Sequence, residues 1–169
     1  TMLGKACAYA MAKVHNKPFR AGFRYMNGGE ILGRHFDSET KWMSDAFDFA
    51  DRFKKENGYP AILFFDEADS CLPTRSGTNM FNKAAVNIFL SRMDGMNELS
   101  AFVILATNDH GELDEAATRP GRIDRKIYVG RPELNTVKSM LHSCFKKKPL
   151  AKDQDLEKIV EITSAEIFR

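Results

Sequence analysis

Long apolar runs are missing from this sequence: none approaches the roughly 18 residues that a membrane-spanning helix needs. No apolar leader opens the chain either, so the expectation is a soluble segment made without export. Cysteine is scarce. Cys7, Cys71 and Cys144 are odd in number and widely spaced, which excludes a disulfide framework and a CxxC zinc site and points to a reducing intracellular compartment. His15, His35, His110 and His142 have no metal-ligand spacing. An excess of one charge is lacking too. Lys and Arg number 25 against 23 Asp and Glu, and the net charge of +2 is too mild to imply a nucleic-acid partner. The densest basic run, Phe145–Pro149, reads as cations closing a helix before a proline stop.

What the chain does have is alternation between two periodicities. Leu3, Cys7, Ala10 and Val14 share one face of an opening helix, capped by Thr1. Phe19, Ala21, Phe23 and Tyr25 recur at period two, as in a strand, and Asn27-Gly28-Gly29 turns the chain. From about Thr40, Met43, Ala46, Phe47, Ala50 and Phe53 define a second helix that ends where Asn57-Gly58 and Pro60 stop it. Ala61–Phe65 and Ala101–Thr107 are apolar throughout, which predicts strands covered on both faces. A third helix over 82–93 lies between them, and Lys126–Val129 is expected to be a short last strand. Strands alternating with helices predict an α/β fold with a parallel sheet flanked by helices. After Arg131-Pro132 only helical patterns follow, so the chain divides into an α/β part, 1–131, and a small helical part, 132–169.

Ligands of such sheets bind beyond the carboxyl ends of the strands. There the apolar strand "AILFF" runs directly into Asp66-Glu67. Four apolar residues followed by Asp-Glu form a Walker B pattern: the first carboxylate can hold Mg²⁺ and the second can polarise an attacking water. The same arrangement could also be a strand ending in a polar helix cap. Downstream, "ILATND" brings Asn108, whose amide can donate to a γ-phosphate, to the end of the next apolar strand. Arg119, Arg122 and Arg125 surround a Pro-Gly turn. They could stabilise a phosphoryl group bound by another subunit, or form surface pairs with Asp114, Glu115 and Asp124.

Together these segments closely resemble the AAA ATPases, ring-forming motors that unfold or remodel macromolecules. "FFDEAD", "MDGM", "ATND" and "LDEAATRPGRIDR" stand in the family's order, and Tyr25–Phe47 resembles the strand, pore loop and helix that precede Walker B. The resemblance implies an ATP- and Mg²⁺-dependent hydrolase working as a ring, a hexamer, on a protein substrate drawn through a central pore. It implies that Asp66 serves Mg²⁺, Glu67 activates water and Asn108 senses the γ-phosphate. Arg122 and Arg125 match the arginine-finger pair acting in trans, and Asn27 matches the asparagine that restrains the catalytic glutamate. His35-Phe36 aligns with the pore loop, with His35 where many members have an aromatic residue.

Thr1 matches the last residue of the family's GxxxxGKT phosphate loop, a Mg²⁺ ligand, and the glycines, the lysine and the first strand that would precede it are not in this sequence. The expectation is therefore a P-loop NTPase of AAA type lacking its first strand and most of its phosphate loop, followed by the start of a helical lid. Such a chain is expected to bind ATP poorly and to fold marginally by itself. No second-sensor arginine is assigned in the lid. A nucleotide-sensing scaffold on the same fold, with little turnover, is the competing reading.

Overall fold

A computed structural model describes residues 2–17, 22–30, 36–74, 80–94, 100–146 and 155–167, the side chains at 36–39, 80–82 and 167 excepted. Two compact units divide the chain, Thr1–Arg125 and Lys126–Arg169. The first contains helix α1 (Met2–Val14), strand β1 (Phe23–Asn27), helix α2 (Phe36–Asn57), strand β2 (Ala61–Asp66), the one-turn helix α3 (Ala68–Cys71), helix α4 (Met80–Asp94) and strand β3 (Ala101–Leu105). Among the described residues the strands form one sheet in the order β1-β2-β3, both pairings parallel.

The centre of this sheet is β2, whose residues Ala61–Phe65 are all buried. Successive side chains of a strand point to opposite faces. Ala61, Leu63 and Phe65 face the main core, built with Met43, Phe47, Val86, Phe89 and Leu90 of α2 and α4. Phe89 sits edge-on between Phe47 (5.9 Å) and Phe65 (6.0 Å), the geometry that aromatic quadrupoles favour. The expected inward residues of α2, from Met43 to Phe53, are all buried. Its end is the expected glycine cap: Gly58 has φ 79° and donates its N–H to the Lys54 carbonyl at 2.8 Å.

The opposite face of β2 carries α1, and here the structure corrects the expected orientation. Gly4, Ala8 and Ala12 point inward, while Leu3 is 63% exposed and Val14 is also exposed. The reason is close approach. A Cβ on Gly4 would lie 2.5 Å from Cδ2 of Phe64, so only a small-residue stripe fits over the Phe23 and Phe64 rings. Hydrophobicity alone selected the wrong face.

Two further expectations are corrected. β3 is not covered on both faces: Phe102 is 51% exposed, because β3 lies at one edge of the described sheet rather than at its centre. Lys126–Val129 is not a strand, since no other described strand pairs with it, and Ile127, Tyr128 and Val129 are all exposed. Of the first predicted strand, Phe19 and Ala21 lie outside the described residues.

The second unit contains helices α5 (Leu134–Phe145) and α6 (Leu156–Ile167), packed on one another. Val137, Val160 and Ser164 are buried among its described residues, and the Ser164 hydroxyl donates to the Glu161 carbonyl at 2.9 Å. His142 Nε2 lies 3.3 Å from Glu157 Oε1 across the pair. No described helix in either unit is long and apolar enough to cross a membrane.

Candidate functional site at the strand ends

Parallel pairing in register brings the chemistry to one edge. Asn27 at the end of β1 is the partner of Asp66 at the end of β2. Beyond β3, Ala106 donates to the Phe65 carbonyl at 2.8 Å and accepts from the Ala68 N–H at 2.9 Å, which seats Thr107 and Asn108 beside the turn that follows β2. Asp66, Glu67, Asn27 and Asn108 therefore converge at the carboxyl ends of the strands.

Asp66 is half-buried. Its Oδ2 accepts the Tyr25 hydroxyl at 3.0 Å and its Oδ1 accepts the Glu67 N–H at 3.2 Å, which fixes the carboxylate plane. Glu67 is exposed and has φ 50°, ψ 49°, a left-handed conformation that L-residues with a Cβ rarely adopt. The strain is held by its surroundings: Ala68 is tied to Ala106, and Ser70 donates to the Glu67 carbonyl at 3.0 Å. The turn starts α3 at once.

Asn27 uses its Oδ1 locally, accepting the Gly29 N–H at 2.8 Å and closing an Asx turn. The one-turn 3₁₀ helix Gly28–Glu30 packs against α3. Asn108 is exposed, and its side chain has no hydrogen-bond partner among the described residues.

Two residues of this site were given no role from the sequence. The Thr107 hydroxyl donates to Asp69 Oδ1 at 2.5 Å and lies 3.0 Å from both the Asp109 N–H, from which it accepts, and the Asp109 carbonyl. Asp69 belongs to α3 and Thr107 to the loop after β3. Their position within "DEAD" and "ATND" was the available signal; the pairing itself spans 38 residues. Nearby, Cys71 is buried and donates to the Ala68 carbonyl at 3.4 Å; burial pushes its thiol up to about 12.

Arg119 and Arg122 pair with other residues than those at the strand ends. Arg122, 18% exposed, grips Asp94 at the end of α4 in a two-pronged pair (Nε to Oδ1 2.7 Å, Nη2 to Oδ2 2.5 Å) and donates from Nη1 to the Ala116 carbonyl. The hydrogen bond from Arg122 holds the Asp94 carboxyl below the usual aspartate range, and the same bond raises Arg122. Gly121, at φ 88°, turns the chain into Arg122 and donates to Asp124 Oδ1 at 2.7 Å. Arg119 lies 3.8 Å from Glu115, and Arg125 is exposed. Thr1, His35 and the Phe36 side chain lie outside the described residues.

No group of three or more His, Cys, Asp or Glu among the described residues is placed to hold a metal ion. A site with one or two carboxylates at a strand end instead suits Mg²⁺, which keeps several waters and shares its shell with phosphate oxygens. Asp66, with one oxygen toward Tyr25 and the other toward its own backbone turn, fits that donor set.

A parallel sheet with helices on both faces and acidic residues at its carboxyl edge fits an α/β domain of the P-loop NTPase class. Residues 1–131 match the ATPase family associated with various cellular activities (AAA), and the chain belongs to that family. It is 35% identical over 157 residues to an ATPase of Plasmodium falciparum (isolate 3D7) named for the cell division cycle, covering 90% of this chain. It is 35% identical over 156 residues to the cell division cycle protein 48 homolog of Archaeoglobus fulgidus, covering 91% of this chain. The chain spans 12% and 21% of the length of these two relatives.

Proposed function

We propose that this chain is the ATP-binding and hydrolysing core of a larger ring-forming motor, a hexamer, that remodels or unfolds a protein substrate. The observation that supports it best is the meeting of Asp66, Glu67, Asn27 and Asn108 at one edge of a parallel sheet. Glu67 accepts the proton of the attacking water, and its exposed carboxylate is free to do so. Asn108 donates its amide to the terminal phosphate. Asp66 and the Thr1 hydroxyl are the residues that would hold Mg²⁺, which supplies neutralisation of phosphate charge. Arg122 and Arg125 act on the nucleotide of the adjacent subunit, where an arginine is worth roughly 10³–10⁵ in rate.

Further parts of the proposal rest on the family resemblance alone: Asn27 restrains Glu67 between turnovers, His35 and Phe36 grip polypeptide in the pore, and residues 132–169 begin the lid. The setting proposed is a reducing intracellular compartment, in keeping with free Cys7, Cys71 and Cys144. The test is Glu67→Gln in the full-length protein. ATP binding is expected to persist while turnover is largely lost; unchanged turnover would refute the assignment. Tight ATP binding without turnover by the unmutated protein would favour the scaffold reading.

A further inference from the structure

Glycines 28 and 29 sit against the same glutamate in different ways. A Cβ built on Gly28 would lie 2.2 Å from the backbone oxygen of Glu67 and 3.2 Å from its carbonyl carbon. A Cβ built on Gly29 would lie 2.3 Å from the carboxylate oxygen Oε2 of Glu67 and 3.5 Å from its Cδ. The first contact is with main chain that cannot yield without moving the strained turn at Glu67. The second is with the tip of a side chain that can swing away. Neither glycine has a positive φ, so neither position needs glycine for its backbone. At Gly29 the missing side chain is instead the space in which the Glu67 carboxylate rests.

We infer that Gly29 is a positioning residue for Glu67: its bare Cα, with the Asn27 Oδ1 flanking at 3.3 Å from the built Cβ, forms the seat that fixes the carboxylate's rotamer. This rests on the reading of Glu67 as the base that activates water. A base must stand within about 2.6–3.2 Å of the proton it takes, and a displacement of about 1 Å can cost on the order of 10² in rate. Alanine at position 29 removes the seat without opening a cavity, breaking a hydrogen bond or forcing a disallowed backbone. The Gly29 N–H still reaches Asn27. The damage is confined to where the glutamate points.

The experiment compares Gly29→Ala, Gly28→Ala, Glu67→Asp and the double variant Gly29→Ala with Glu67→Asp in the full-length protein, with ATP turnover, ATP affinity and melting temperature measured on each. Gly29→Ala is expected to lower kcat by about 10- to 100-fold with ATP affinity within about twofold of wild type and melting little changed. Gly28→Ala is expected to lower the melting temperature instead, since its Cβ meets backbone. In the combination Gly29→Ala with Glu67→Asp, the shorter acid withdraws from the new methyl, so the two changes together are expected to cost less than the product of the two alone. A Gly29→Ala protein with wild-type kcat overturns the inference. So does one whose kcat, affinity and melting temperature fall together, or a double variant whose losses simply multiply. Glu67→Gln, run alongside, separates the two claims: if it retains turnover the reading of Glu67 fails, whereas if it loses turnover and Gly29→Ala does not, only the seat fails.

Discussion

Thr107 and Asp69 share a hydrogen bond of 2.5 Å that ties the loop carrying Asn108 to the helix that follows Glu67. Two strands that end side by side would otherwise leave these loops free to drift independently. The bond, with the Ala68–Ala106 backbone bond at 2.9 Å, makes one body of the turn carrying Glu67 and the loop carrying Asn108.

Removing either partner of that bond is expected to lower turnover in the full-length protein, by about tenfold if the loss is near 1.4 kcal/mol. Thr107→Ser keeps the hydroxyl and is expected to stay close to wild type. Thr107→Val and Asp69→Ala are expected to be non-additive, because each removes the same bond. Steady-state kinetics on the two single variants and the double variant checks this; full additivity would show that the bond does not couple the loops.

Asp94 is expected to support Arg122 in the same manner. Asp94→Ala frees the guanidinium from its two-pronged partner and leaves it only the Ala116 carbonyl. Turnover of the assembled protein is expected to fall toward that of Arg122→Ala, with ATP affinity retained. Because the folded state holds the Asp94 carboxyl below 3.8, the pair's contribution to stability is present above that pH and lost as pH falls through the lowered value. Acid unfolding of wild type against Asp94→Asn measures it. The pair is exposed on the Asp94 side, so added salt is expected to weaken it.

Phe89→Ala is expected to be the most disruptive single truncation in the core of the first unit. The ring is fully buried and touches both Phe47 and Phe65, so the loss should be about 3–5 kcal/mol. Urea unfolding of the two proteins, compared at equal slope, reads the difference.

Cys71 should be silent toward thiol reagents at neutral pH in the folded protein, with Cys144 exposed and reactive. A raised thiol contributes stability that is fully present below 9.0 and is lost as pH rises from there toward about 12, since the unfolded chain gives up its proton first. Thiol titration with and without denaturant checks the burial, and denaturant melts across that alkaline range check the sign.

Legibility followed the range of the interaction. The α2 face from Met43 to Phe53 and the covered strand β2 were readable because local periodicity and bulk hydrophobicity agree there. The α1 face was misread because what decides it is the height of Phe64 beneath Gly4, a contact 60 residues away in sequence that only the fold creates. Lys126–Val129 has strand-like residues but no described partner, and a strand is defined by its neighbour as much as by its own side chains. At the site, Asp66 and Glu67 were legible as adjacent carboxylates on an apolar run. The Asp69–Thr107 and Asp94–Arg122 pairs were not, since polar side chains bear no mark of a partner 38 or 28 residues away. Asn27 was linked to the glutamate only through the family resemblance, and the close approach of Gly28 and Gly29 to Glu67 emerged only once β1 and β2 were in register.

The glycine and alanine stripe of α1 has a consequence for motion. A 13-residue helix is marginal without tertiary support, and here the fully buried residues Gly4, Ala8 and Ala12 bring almost no side-chain area, with Met11 only partly buried against the core. Its amide protons should therefore exchange with solvent well before those of β2, through openings that leave the rest of the sheet intact. The sheet face beneath it, with Phe23 and Phe64, would then be uncovered transiently rather than permanently sealed.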